Sequence, residues 1–369
     1  MRRSRLFGAA VAIAAAGGLA IGLSTGSGSP RRSDRGAAHA GASVLRSGGS
    51  DAASATPAAS SGASSGTAAP APSGAAPATP ATCGAASTAT VAAVDVAVAQ
   101  RIYAGELHSR EVSADLAHVT GSRELLGALA SANVAAVKAA VTTIVYTPHW
   151  HIVRLRVLAH GRVLADVGGP DVIAPVSGSL SYRGRQVGTF VMSVQDDLGY
   201  TKLVSRFTGV PIDLYRGGSF LMGTLQPAPS TLHSGASLRV AGRSYLEQVL
   251  TAKAFPSGTL QALLLVPAAT PAQSARGCTA VRVAAWGSVA MHIAAQLTPL
   301  AAHYADLAGT LHSATGGVAF VRAGSRVLAG PSAPRHLPQG GTVRYAGRTW
   351  WVFSWVAARP ARIYFLTPG

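Results

Sequence analysis

The sequence predicts a mixed α+β protein in which antiparallel sheets are backed by long helices, after a disordered N-terminal tether. Three observations lead to this expectation. One stretch consists almost entirely of small residues and proline, several segments place apolar residues three and four positions apart, and one strand phrase recurs. The phrase reads LRVAGRSYLEQVL from Leu238 and VRYAGRTWWVFSWV from Val343. The recurrence predicts a tandem architecture.

Residues 1–23 place three arginines before an apolar run from Leu6 to Leu23. That order is typical of an export signal, and the run is close to the shortest that crosses a bilayer. Two alternatives stay open, a cleaved signal peptide and an N-terminal membrane anchor. Either one predicts an exported protein, secreted or anchored at the cell surface, with membrane contact through this segment only.

Residues 24–82 contain little besides Ala, Ser, Gly, Pro and Thr. Such a segment has too few large apolar side chains to offset the entropy lost on ordering. We therefore expect a disordered linker that holds the folded part away from its attachment point.

Cys83 and Cys278 are the two cysteines of the chain. In an oxidising compartment an even number of cysteines predicts a disulfide, and the alternative is two free thiols. A bond that closes so long a loop is expected to stabilise the fold by roughly 4–5 kcal/mol.

The large net charge of +17 does not by itself identify a class of partner. Residues 83–369 carry 24 basic and 12 acidic side chains, a difference of +12. Such a surface attracts anionic lipid, cell-wall polymer or nucleic acid. Because no stretch combines clustered basic residues with aromatic ones, we expect no nucleic-acid partner.

Four segments have helical periodicity. They are Thr90–Val119, Arg123–Tyr146, Asp196–Gly209, and Val289–Ala314 with a kink at Pro299.

Each copy of the phrase follows a predicted β-hairpin. The hairpins are GVPIDLYRGGSFLMGT from Gly209 and GVAFVRAGSRVLAGP from Gly317, and a weaker third copy pairs IVRLRVLAHGRVLADVGG from Ile152 with LSYRGRQVGTFVMSV from Leu180. From hairpin glycine to phrase glycine the copies span 24, 23 and 23 residues (Gly218 to Gly242, Gly324 to Gly347, Gly161 to Gly184). This nearly constant spacing predicts three related units, each with a hairpin, a crossover and two or three further strands.

The order of long helix, hairpin, crossover and antiparallel strands resembles the PAS-like extracytoplasmic sensors of the Cache family. The resemblance covers residues 85–267 directly and 278–368 through the internal repeat. It implies Cache-like or PAS-like units at 83–208, 209–277 and 278–369, and a non-catalytic module that binds a small ligand. Cache sensors continue into an output domain, whereas this chain ends in its last predicted strand. We therefore expect a separate membrane protein to receive any signal.

The predicted ligand site lies on the first of these units. Trp150, Arg154 and Arg156 have the same parity along a strand, and Tyr182 lies on a neighbouring one. Two guanidinium groups beside an aromatic ring suit a small anionic ligand. Asp171 lies in the crossover, where it contacts a ligand amine or begins a turn. The alternative for the arginines is an open, solvated face.

His149 and His151 flank Trp150 and could hold a metal ion, but the alternative, residues at the start of a strand, is favoured because no third ligand is near in sequence. We therefore predict no metal and no cofactor. Trp351, Phe353 and Trp355 share one face of the last phrase. They are expected to pack against the helix near residues 301–311, and a carbohydrate-binding platform is the alternative.

No nucleophile elbow, zinc-protease motif, paired CxxC or phosphate-binding loop is present in the sequence. The sequence analysis therefore predicts no enzyme. The rival to a sensory module is a structural or adhesive cell-surface protein with degenerate pockets.

Overall fold

A computed structural model describes residues 81–170, 172–297, 303–357 and 359–369. These residues form a mixed α+β structure with antiparallel sheets backed by helices, so the fold class is confirmed at that level. The predictions for residues 1–23, for most of 24–82 and for a kink at Pro299 lie outside the described residues.

The helices are α1 (Ser87–His108), α2 (Arg110–Gly121), α3 (Arg123–Ala130), α4 (Val134–Tyr146), α5 (Asp197–Thr208), α6 (Pro271–Ser274), α7 (Cys278–Leu297) and α8 (Tyr304–Thr315). The strands are β1 (Arg154–Ala159), β2 (Arg162–Gly168), β3 (Val172–Ile173), β4 (Val176–Tyr182), β5 (Arg185–Ser193), β6 (Gln195–Asp196), β7 (Ile212–Arg216), β8 (Ser219–Gly223), β9 (Ser237–Val240), β10 (Arg243–Lys253), β11 (Thr259–Pro267), β12 (Val318–Ala323), β13 (Arg326–Ala329), β14 (Gly340–Tyr345), β15 (Arg348–Val356) and β16 (Ala361–Pro368).

The first sheet has the strand order β2-β1-β5-β4, and a short β3–β6 pair lies beside it. Helices α2, α3 and α4 cover one of its faces. Leu125, Val141, Leu155 and Phe190 are fully buried in the shared core. Each of these side chains belongs to the apolar face that periodicity assigns to its element.

Two predicted long helices are each divided in two by a polar N-cap. Ser109 accepts a hydrogen bond from the Val112 amide and starts α2, while Asn133 accepts one from the Ala136 amide and starts α4. A side chain that caps a helix satisfies a backbone N–H that would otherwise lack a partner. The apolar periodicity continues across both breaks, which explains why the sequence reads as two helices instead of four.

The second and third sheets have the same topology. Their strand orders are β8-β7-β11-β10-β9 and β13-β12-β16-β15-β14. In both sheets the repeated phrase forms the edge strand and its neighbour, β9 and β10 or β14 and β15. The strand that follows the phrase, β11 or β16, then pairs with the first strand of the hairpin, β7 or β12. The first sheet has no equivalent of that last strand, since β5 pairs directly with β1.

The six matched glycines lie in the two-residue turns of these hairpins, all with positive φ. They are Gly161, Gly184, Gly218, Gly242, Gly324 and Gly347. A second shared detail is a bulge beside the first turn of every unit. The residue left unpaired is Leu164 in β2, Leu221 in β8 and Leu328 in β13. Such a match in three hairpins supports a repeated unit.

A four-helix layer lies between the second and third sheets. Helices α1 and α5 pack on the second sheet, α7 and α8 pack on the third, and the four helices contact one another. Between α1 and α5 the chain forms the whole first sheet with its helices, whereas only residues 298–303 separate α7 from α8. Of the described helices, α7 alone has the length and apolar composition to cross a membrane. Its contacts with α1, α5, α8 and β16 are those of a core helix.

Helices α5 and α8 end in the same way. Thr208 and Thr315 donate to the carbonyl four residues earlier and accept from the amide two residues later. Each is followed by a left-handed glycine, Gly209 or Gly316, that closes the helix. The same cap in both copies confirms the predicted helix end at Gly209.

Helices α1 and α7 correspond at a constant offset of 195 residues, which is also the separation of the two cysteines. At this offset Val94 matches Val289, and the other matched core positions are Val98 with Ile293, Ala99 with Ala294, and Ile102 with Leu297. Cys83 and Cys278 form a disulfide, so that prediction is confirmed. The bond joins the same point of the two copies.

Candidate functional site

The two arginines predicted to bind an anion share one carboxylate of the first sheet. Arg156 lies opposite Asp166, with its Nη2 2.6 Å from Asp166 Oδ2. Arg154 Nε lies 2.9 Å from Asp166 Oδ1, and its Nη1 donates to the Gly169 and Pro170 carbonyls. Burial would raise the pKa of Asp166, but hydrogen bonds and charges from the two arginines outweigh it, and the pKa is lowered. Asp166 therefore already neutralises part of the positive charge of Arg154 and Arg156 that was predicted to bind an anionic ligand.

An aromatic ring from the loop after β10 covers the same pair. The guanidinium carbons of Arg154 and Arg156 lie 4.8 and 5.7 Å from the centroid of the buried Phe255 ring. These distances allow cation–π attraction. Beside Phe255, Ala254 forms an isolated bridge with Ile173. The face that would hold the anion is thus closed at this point by the loop after β10.

Replacing Asp166 with Asn is expected to leave two guanidinium groups side by side without their carboxylate. The free energy of unfolding should fall by about 1–2 kcal/mol, between the values for exposed and buried ion pairs. Sulfate should restore part of the loss, because it can take the place of the carboxylate. Thermal unfolding with and without sulfate measures both effects. Adding Arg156→Gln is the control, and it should remove the sulfate response.

Trp150 and Tyr182 do not gather around these arginines. β1 begins at Arg154, so the parity that included Trp150 does not extend back to it. Trp150 instead stacks on His118 of α2, with ring centroids 4.0 Å apart. Tyr182 packs against the helix-covered core of the sheet, with the Arg183 guanidinium over its ring. Asp171 lies outside the described residues. Ligand binding by all five stays a prediction.

The histidines of the first unit do not assemble with other ligands in the described part of the chain. There, no group of three or more His, Cys, Asp or Glu side chains is arranged to hold a metal ion. His149 has a left-handed backbone with φ of 84°, directly before Trp150.

The crossovers of the second and third sheets are filled with apolar side chains. Leu225 and Leu232 pack over the second sheet, and Ala333 and Leu337 over the third. In the second sheet two buried carboxylates also hold the crossover backbone. They are Asp213, which accepts from the Leu225 amide at 3.1 Å, and Glu247, which accepts from the His233 amide at 2.9 Å. Asp213 Oδ1 and Glu247 Oε2 thus anchor the loop, while Asp213 Oδ2 is buried with no hydrogen-bond partner among the described residues.

The aromatic stripe of the last phrase is largely part of the core. Phe353 and Trp355 pack against the layer of four helices. A Cβ on Gly287 would overlap the Phe353 ring, so α7 brings its backbone against this side chain. Phe353 therefore packs against α7, whereas the sequence predicted packing against the helix near residues 301–311. A Cβ on Gly369 would lie 2.9 Å from Trp351 Nε1, which places Trp351 beside the C-terminus.

A cleft of about 710 Å³ opens where the ends of α1, α5, α7 and α8 meet. Its volume is in the range that holds a small molecule. Apolar side chains line it, including Ile102, Leu203, Phe207, Leu297 and Ala314. Six charged side chains also line it, namely Arg101, Glu106, Arg110, Glu111, Arg206 and Asp306. It combines an apolar lining with charges of both signs.

The carboxyl group of Glu106 is the most perturbed charge in the cleft. Burial, and then repulsion from Glu111, raise its pKa to about 7. No ion pair or hydrogen bond joins it to another described residue. A carboxyl group with this pKa changes its protonation state near neutral pH, and so it can accept or donate a hydrogen bond.

Two glycines inside helices line the cleft. Gly105 lies in α1 and Gly309 in α8, and a Cβ on either would have nothing within 4 Å. Glycine inside a helix costs about 1 kcal/mol relative to alanine. The space that an alanine would occupy is thus retained at a cost in helix stability.

Arg101 approaches the end of α8 from across the cleft. A Cβ on Gly316 would lie 2.6 Å from an Arg101 guanidinium nitrogen, which places the cation at the negative end of that helix. The sequence analysis missed the cleft because its residues come from several helices, and α1, α5 and α8 are far apart in the chain. The glycines inside α1 and α8, Gly105 and Gly309, were the sequence signal that could have pointed to the cleft.

No protein-family model matches this sequence, and no curated protein or solved structure shows significant similarity to it.

Proposed function

We propose that this protein is a non-catalytic, extracytoplasmic module that binds a small ligand, built from tandem Cache-like units. The observation that carries the proposal is the cleft where helices of both copies meet. The repeated order of helix, hairpin, crossover and strands supports the Cache-like assignment. The Cys83–Cys278 disulfide supports an exported location, since such bonds persist in oxidising compartments.

The proposed ligand is a small molecule with an apolar part and an anionic group. Arg101, Arg110 and Arg206 are exposed and have no ion pair with a described residue. Guanidinium groups bind carboxylates with two parallel hydrogen bonds. The apolar part would cover Ile102 and Phe207.

The proposed signal is a change in how the helices pack. A ligand shifts a conformational equilibrium only when it binds one arrangement better than the other. Because the cleft is lined by both copies, a ligand that contacts α1 and α8 together favours the arrangement in which they are closest. A separate membrane protein would detect that change.

A thermal-shift screen against organic acids, amino acids and sugars tests this function. The expected result is a ligand that raises the melting temperature of the wild-type protein but not of Gly309→Leu, which fills the cleft with a better helix former. For Arg206→Gln, the ligand concentration needed for the same shift in melting temperature should rise at least about fivefold, because one charged hydrogen bond is lost.

Two controls locate the site. Arg276→Gln removes an exposed arginine outside the cleft and should leave the shift unchanged. If Arg154→Ala abolishes the shift while Gly309→Leu retains it, the ligand binds on the first sheet instead. If no compound stabilises the wild type, the proposal is wrong.

The alternative is a structural or adhesive surface protein. The apolar filling of the crossovers on the second and third sheets favours it, because these crossovers hold side chains where a sensor pocket is expected. A failed screen would support this alternative.

A further inference from the structure

Five arginines lie at one end of the third sheet, which we name the arginine corner. Arg322 of β12 and Arg362 of β16 lie directly opposite each other. Arg326 begins β13 in the adjoining turn, and Arg359 lies in the turn between β15 and β16. Arg335 belongs to the crossover, and its carbonyl accepts a hydrogen bond from Arg322 Nη1 at 3.4 Å.

The arginine corner has no acidic partner among the described residues. Residues 248–369 contain ten Lys and Arg side chains and one acidic side chain, Asp306. In the described part of the chain, the recorded ion pairs are those of Asp166 in the first sheet. Arg326, Arg335 and Arg359 are exposed, so their charges face solvent.

The fold itself does not require these arginines, as the second sheet shows. In its matching register the positions of Arg322, Arg326 and Arg362 are held by Tyr215, Ser219 and Gln261. Protection of an edge strand by a charged residue accounts for Arg326 on β13 but not for Arg322 and Arg362 on inner strands. These three cations therefore belong to one of two sheets with the same topology, while the matching end of the second sheet has Arg216 in the position of Ala323.

Arg322 supports the others. It donates to the carbonyl oxygens of Pro334 and Ser325, at 3.2 Å each. These bonds hold the crossover that carries Arg335 and the turn that precedes Arg326. Arg362 Nη1 donates to Ser354 Oγ, which orients it along the same face. The corner is thus held in place by its own sheet.

We propose that the arginine corner binds a linear polyanion bearing phosphate or sulfate groups. Clustered guanidinium groups recognise such groups through charge and paired hydrogen bonds. A membrane surface is a weaker fit, because exposed large apolar residues near the corner are limited to Val327 and Val356. Membrane-surface sites present Trp, Phe or Leu beside the basic residues. A nucleic acid is also a weaker fit, because bases stack on exposed aromatic rings.

The test measures binding of the full chain to inorganic polyphosphate of defined length, by fluorescence anisotropy over a range of salt concentrations. The corner variant carries Arg326→Gln, Arg335→Gln, Arg359→Gln and Arg362→Gln. Its matched control carries Arg239→Gln, Arg243→Gln, Arg276→Gln and Arg282→Gln, four exposed arginines elsewhere. Both variants lose the same net charge.

The corner variant should lose at least about thirtyfold in affinity at low salt, and the slope of log K against log salt should fall by about 3. The control should lose only a few-fold. Should the corner variant unfold, Arg326→Gln with Arg359→Gln, both at exposed positions, is the smaller substitute. Equal losses in the two variants would show that net charge alone binds polyphosphate, and would overturn the proposal.

Two further arms identify the class of polyanion. A single-stranded oligonucleotide of matched charge should bind no tighter than polyphosphate, and a tenfold tighter complex would instead indicate nucleic acid. Val356→Ser should leave polyphosphate binding unchanged. If that variant, compared with wild type in the same full chain, loses binding to anionic lipid vesicles and polyphosphate does not bind, the surface contacts membranes and the proposal fails. None of these variants changes a residue that lines the helical cleft. The result for polyphosphate is therefore independent of the result of the small-ligand screen.

Discussion

Replacing Cys83 and Cys278 with alanine is expected to lower the free energy of unfolding by about 5 kcal/mol. The bond joins residues 195 positions apart, and the entropy that a cross-link removes from the unfolded chain grows with loop length. Few single features of a domain of this size contribute as much. Alanine is the better replacement because Cys83 is buried and serine would leave a hydroxyl there.

The location of the disulfide adds to this expectation. Cys83 precedes α1, and Cys278 is the first residue of α7. These helices pack together in the layer between the two sheets, so the bond fixes one end of that packing. Without it we expect the α1–α7 end to open first, with faster hydrogen exchange at the start of both helices.

Denaturant unfolding of the double alanine variant measures the loss. Wild-type protein under reducing conditions is the control, and it should unfold at the same denaturant concentration as the variant. A loss below about 1 kcal/mol in both would mean that helix packing, and not the covalent bond, fixes this end of the molecule.

The second large effect concerns Asp95, which lies inside the helical layer with 3 % of its surface exposed. Burial raises its pKa from 3.8 to about 7. No hydrogen bond or ion pair joins its side chain to another described residue. At the offset of 195 residues its counterpart in α7 is Ala290. The equivalent position of α7 therefore packs in the same helical layer without a carboxylate.

The direction of the pH effect follows from the raised pKa. An acid whose pKa is higher in the folded state binds more protons folded than unfolded, so stability falls as the pH rises from 3.8 to about 7 and then levels off. A difference of about 3 pKa units corresponds to roughly 4 kcal/mol. The contribution of Asp95 to the free energy of unfolding is thus expected to be lowest above neutral pH.

Asp95→Asn removes this titration. Relative to wild type, its free energy of unfolding should rise by roughly 4 kcal/mol between about pH 4 and about pH 8. The unpaired amide adds a cost of roughly 1–3 kcal/mol that does not change with pH. Unfolding measured at both pH values gives the difference. Glu124→Gln, at an exposed position of α3, is the control and should show no such rise. Equal stability changes at the two pH values would contradict the buried, unpaired state of Asp95.

Local patterns predicted most of the elements but not the helix breaks. Alternation and two-residue turns placed the three hairpins, because a turn with positive φ favours glycine wherever it occurs. Ser109 and Asn133 were missed as N-caps, since the apolar period continues through them and a polar residue inside a helical pattern also fits an exposed face. The end of α5 was predicted because a left-handed glycine directly follows a helical segment.

The candidate site was less accessible to sequence reasoning. Arg154 and Arg156 were placed correctly side by side, but their partner Asp166 lies on the neighbouring strand, and the covering ring, Phe255, comes from another unit. Strand parity assigns a side chain to a face and does not say what that face meets. The helical cleft is lined by residues of helices that are far apart in the chain, among them Gly105 of α1 and Gly309 of α8.

The sequence by itself determined the antiparallel sheets, the helices that back them, the repeated hairpins and the cysteine pair, because each depends on neighbours along the chain or on a chemical pairing with no alternative partner. Tertiary structure decided that α1 packs on the second sheet although the whole first unit lies between them in the chain. It also decided that Asp95 is buried without a partner among the described residues, and where the arginine corner forms. These features arise from contacts between residues up to hundreds of positions apart. Local periodicity carries no information about such contacts, since packing of complete elements selects them.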